Sequence, residues 1–102
     1  MNKTLYLTLK KPQFKVTLSG EKKIEYRRHS QWISSRLTNK KYENVKFVNG
    51  YGADKPYFIA QYNGFDQIKK NEIYTFSNGL VVQVREGDFA IKLGKIIETG
   101  NL

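Results

Sequence analysis

Hydrophobic and polar positions alternate clearly at the start of the chain. Over residues 3–10, Leu5, Leu7 and Leu9 interleave with Thr4, Tyr6 and Thr8, the pattern of a strand with one buried face. Pro12 then suits the first turn of a short helix, where its missing N–H costs nothing. Phe14, Thr17 and Leu18 share one face of that helix, and Gly20 supplies its C-terminal stop. Alternation resumes over residues 23–28, with Ile24 and Tyr26 on one side and Glu25 and Arg27 on the other. Ser30 caps a second short helix whose face carries Ile33, Arg36 and Leu37.

The remainder reads as strands and turns. A polar loop over residues 38–43 leads to a strand at 45–48, ended by Asn49-Gly50. A further strand at 57–62 closes at Asn63-Gly64, and residues 65–71 suit either a returning strand or a helical turn. Residues 72–77 and 80–85 flank Asn78-Gly79, the signature of a hairpin with a type I′ turn. Glu86-Gly87-Asp88 turns into a last strand at 89–97, where Phe89, Ile91 and Leu93 alternate. About six short strands with one or two short helices predict a mainly β, α+β fold, a small barrel in one domain over 1–102.

Composition narrows the chemistry. The 102 residues are 39% hydrophobic and 14% aromatic, too apolar for a disordered chain. There is no cysteine and one histidine, so neither a disulfide framework nor a cysteine zinc site is expected, and no metal or cofactor is assigned. The first eleven residues suit neither a signal peptide nor a membrane span, and no apolar run reaches 18 residues, so a cytoplasmic, membrane-free protein is expected. The net charge of +9 lies wholly in residues 1–50, which hold 12 Lys and Arg against three acids; residues 51–102 balance six against six. One-sided positive charge points to a polyanion, with RNA or a nucleotide the leading partner.

Candidate chemistry gathers in the same half. Walker, dinucleotide-binding, paired-histidine and Gly-x-Ser-x-Gly motifs are all missing. His29, between Arg28 and Ser30, reads as a surface residue at a strand end. Lys22 and Glu25, three residues apart across a turn, can reach one cleft as an acid–base pair. Alternatively, Glu25 pairs with Lys22 or Arg27 and pins strand to helix. Of the aromatic side chains Tyr26, Trp32, Tyr42, Tyr51, Tyr57 and Tyr62, Trp32 is the best candidate to stack on a base, because it lies in a polar segment near Arg28. Stacking between rings and cations suits single-stranded RNA.

Gly20-Glu-Lys22-Lys-Ile-Glu25-Tyr-Arg27 matches the Gly-x-Lys-x-x-Glu-x-Arg signature of the ASCH domain family, which the chain resembles over most of its length. The resemblance implies a PUA-like β-barrel with helices over its openings and a cleft lined by Lys22, Glu25 and Arg27. It also implies a module that binds or modifies RNA. In one amidohydrolase branch the catalytic Lys corresponds to Lys22, but Glu25 stands where its nucleophilic Thr belongs, which argues against that reaction. The expectations are therefore threefold. The first is an RNA- or nucleotide-binding module using Lys22, Glu25, Arg27, Arg28, Tyr26 and Trp32. The second is a metal-independent enzyme on RNA or a modified nucleoside, ribonuclease or amidohydrolase-like, using Lys22 and Glu25. The third is a protein-interaction module without chemistry.

Overall fold

The computed structural model describes residues 3–102; Met1 and Asn2, which open the N-terminal stretch read above, lie outside it. The described residues form seven strands and two helices: β1 (Thr4–Leu9), α1 (Lys11–Leu18), β2 (Ile24–Arg27), α2 (Gln31–Leu37), β3 (Asn44–Asn49), β4 (Tyr57–Gln67), β5 (Glu72–Thr75), β6 (Val81–Val84) and β7 (Phe89–Gly100). Five strands make one curled half-barrel sheet in the order β1-β3-β4-β7-β2, and β5-β6 is a separate hairpin. Only β1 and β3 pair in parallel, Leu5 opposite Val45 and Leu7 opposite Phe47. The expected mainly β, α+β fold is present.

The alternation of β1 buries Leu5, Leu7 and Leu9 and leaves Tyr6 exposed. These leucines join Phe14 from α1, Ile33 and Leu37 from α2, Val45 and Phe47 from β3, and Phe58 from β4 in one core. Phe58 ties it together, with ring centroids 5.1 Å from Phe14 and 5.2 Å from Phe47. Arg36 departs from expectation: it lies on the exposed side of α2, with its guanidinium 5.0 Å from the Trp32 ring, while Ile33 and Leu37 alone face the core. Spacing of three to four residues along the helix admits Arg36 to that face, but a guanidinium without a buried partner stays in water.

Two turns also differ from the pattern. Asn63-Gly64 does not end a strand; β4 runs through it to Gln67, and its register against β7 shifts between Tyr62 and Phe65. Gly64 takes a φ of +90°, which serves a bulge as well as a turn, and the bulges in β4 help curl the sheet. In the hairpin, Gly79 donates to the Phe76 carbonyl and Phe76 to the Leu80 carbonyl, with a positive φ at Gly79 but not at Asn78. That is a three-residue loop with a glycine bulge in place of type I′.

The second helix positions Trp32, and its start rests on Ser30, whose hydroxyl accepts from the Ile33 N–H at 3.2 Å. Ser30→Ala should cost about 1 kcal/mol and lower the melting temperature by about 4–8 °C in a domain of this size. Thermal unfolding followed by circular dichroism checks this; an unchanged midpoint contradicts the cap.

Candidate functional site: a buried ion chain beside a basic aromatic groove

The segment after α1 is built for a tight join. The Gly20 N–H donates to the Thr17 carbonyl and the Lys22 N–H to the Val16 carbonyl, so the helix end fixes the backbone of Lys22. The next residues enter β2 on the edge of the half-barrel, antiparallel to β7, with Glu25 opposite Ile91 and Arg27 opposite Phe89.

From there an unbroken series of charge-assisted hydrogen bonds crosses the fold. Lys22 Nζ donates to the Ile24 carbonyl and to Glu25 Oε1, both at 2.7 Å. Glu25 Oε2 accepts from Arg27 Nε at 2.8 Å. Arg27 Nη2 then donates to the Thr8 carbonyl at 2.8 Å. Thr8 belongs to β1 and Arg27 to β2, the two edge strands, so this side chain bridges the gap that the sheet leaves open. Lys22 and Glu25 are 2% and 4% exposed, whereas the Arg27 side chain keeps 26% of its surface. The ion pair weighed above as pinning strand to helix is thus present, and it involves both cations. Buried charges are tolerated only with partners of this quality.

The six residues singled out in the sequence do not share one cleft. Lys22 borders a cavity of about 370 Å³ at the end of α1, with Lys23, Leu93 and Gly94. Arg27 and Trp32 border a different groove, of about 660 Å³. Glu25 sits between them and borders neither cavity. Arg28 turns to Asp88 at 3.9 Å, and Tyr26 stacks on Tyr74 of the hairpin, with centroids 5.6 Å apart. Burial pushes the Tyr26 hydroxyl above its ordinary pKa. A hydrogen bond to Glu72 does the same for Tyr74, so both are neutral phenols near pH 7. The hairpin is held by the Glu21 carboxylate, which accepts from the Ser77 N–H and hydroxyl; that contact holds Glu21 below the usual carboxylate range. His29 lies exposed at the strand end against the Phe89 ring.

The groove at Arg27 carries the most useful chemistry. Lys10 and Lys11 join Arg27 in its wall with Tyr6, Trp32 and Tyr51, which are 56%, 51% and 84% exposed overall. No Asp or Glu is among the described residues that line it. Sequence reasoning missed Tyr6, Lys10 and Lys11. The available signal was that Tyr6 occupies the outward phase of a leucine strand, where an aromatic ring cannot join the core. Tyr42 and Tyr62, in contrast, pack edge to face against each other, 5.4 Å apart.

No protein-family model, curated protein or solved structure matches this chain. Among the described residues, no three His, Cys, Asp or Glu side chains gather as a metal site. No helix among them is long and apolar enough to cross a membrane.

Removing one partner from the buried pair should be costly. Lys22→Met or Glu25→Leu alone is expected to lose about 3–5 kcal/mol, and the double variant should recover most of that loss. Chemical denaturation of the four proteins checks this. Two small, additive losses would show that the pair is not coupled.

Proposed function

We propose that the protein binds RNA or a nucleotide in the groove beside Arg27, as a binding module. The observation that carries this reading is the anchored guanidinium of Arg27. Glu25 and the Thr8 carbonyl hold it in place, and it retains exposed surface between accessible rings and two lysines. A fixed guanidinium suits a phosphate, and exposed Tyr and Trp faces suit unstacked bases. The positive half of the chain supplies the long-range attraction. Resemblance to the ASCH signature supports the same class of ligand, with Arg27 as the signature residue nearest to it. Lys22 and Glu25 then act as positioning residues, since each is buried and committed to the other.

A second reading, a metal-independent hydrolase acting on RNA or a modified nucleoside, is favoured by Lys22 at the wall of the smaller cavity, near Lys23 and Lys95. Incubating small RNAs and acetylated cytidine with saturating protein tests it, and unchanged substrates remove it.

For the binding reading, Trp32→Ala should weaken RNA about 5- to 150-fold, the equivalent of about 1–3 kcal/mol of base stacking. Fluorescence anisotropy at low salt measures this. An unaltered affinity in Trp32→Ala, or no binding by the wild type, overturns the reading.

A further inference from the structure

The groove at Arg27 does not end at Trp32. A second depression, of about 900 Å³, adjoins it, and Tyr6 and Trp32 line both. Its other walls bring Arg36, Lys40 and Lys41, again with no Asp or Glu among the described residues. The two depressions follow β1 in order: Thr4 and Leu5 border the second, Tyr6 borders both, and Thr8 to Lys11 border the first. From Thr4 to Lys10 a strand rises roughly 20 Å at ~3.3 Å per residue.

We propose that the two depressions form one track for a single-stranded nucleic acid of at least three nucleotides. This rests on the binding reading above and extends it from a nucleotide to a strand. Either depression alone has the volume of a small-ligand site, so a mononucleotide would use one and leave the other. Cations stand at both ends, Lys10 and Lys11 beyond Arg27 and Lys40 and Lys41 beyond Arg36, a spacing that serves a chain of phosphates. Trp32 stands at the junction with Arg36 beside its ring at 5.0 Å. The ring keeps about half of its surface exposed for a base, and that base must be out of a duplex to reach it. A fully stacked strand, at about 3.4 Å per nucleotide, would place about six nucleotides along the track, and an extended strand fewer.

The test uses the full chain and fluorescein-labelled oligouridylates and oligothymidylates of one, two, four and eight nucleotides, with a blunt duplex beside them. Affinity at low salt should rise at least tenfold between two and eight nucleotides, and the duplex should bind more weakly than the single strand. If only the oligouridylates bind, the track reads RNA; equal binding of both series makes it a general single-strand track. Lys10→Ala/Lys11→Ala and Lys40→Ala/Lys41→Ala change exposed side chains, and circular dichroism verifies that they fold. Each pair should lower the slope of log affinity against log salt by about 1.4, at about 0.7 per phosphate contact. Length-independent binding that depends on Lys10 and Lys11 but not on Lys40 and Lys41 overturns the track and leaves a one-nucleotide site. A duplex that binds as tightly as the single strand also overturns the track. If neither series binds, the binding reading falls with it.

Discussion

A single carboxylate, that of Glu25, lies nearly out of water with a cation on each of its oxygens. An uncompensated charge there would cost several kcal/mol, so Lys22 and Arg27 cannot be chosen independently of it. The geometry works because each cation has a second acceptor in the backbone. Lys22 also reaches the Ile24 carbonyl, and Arg27 reaches the Thr8 carbonyl. One buried negative charge thereby links the end of α1, strand β2 and the far edge of the sheet.

The half-barrel also depends on that link. A five-stranded sheet ends in two edges, β1 and β2, whose free backbone groups need water or a partner. Arg27 satisfies one of those groups across the gap, and α2 sends Ile33 and Leu37 into the core beneath. The same side chain that joins the edges forms part of the groove wall, so the opening left by the sheet and the basic surface are one feature.

Much of this architecture was legible because it follows from periodicity. The leucine alternation of β1, Pro12 near the start of α1, Gly20 after its end and Ser30 as a cap each impose a local geometry that the structure keeps. What misled was ambiguity in the code itself. Gly64 signals a positive φ, and a positive φ serves a bulge inside β4 as readily as a turn after it. Arg36 has helical spacing that fits the buried face, but its charge sends it to Trp32. The site was half legible. The polar phase of β2 marked Glu25 and Arg27 as neighbours, yet nothing local separates a polar face in water from one in a paired, dry interior. The grouping of Tyr6, Lys10 and Lys11 with Trp32 depends on the packing of α2 against the β1 leucines, which no local pattern encodes.

Strand β2 owes its place to residues made much later. Glu25 and Arg27 pair with Ile91 and Phe89, so the last strand of the chain orders a segment from its first third. During synthesis, everything up to residue 88 emerges without that partner, and the carboxylate has no dry place to go. Closing the loop between β2 and β7 costs entropy that neighbouring residues cannot offset, so the pairing rests on long-range packing. The Arg27 wall of the groove therefore depends on a strand far along the chain, and a change that loosens β7 would loosen that wall as well.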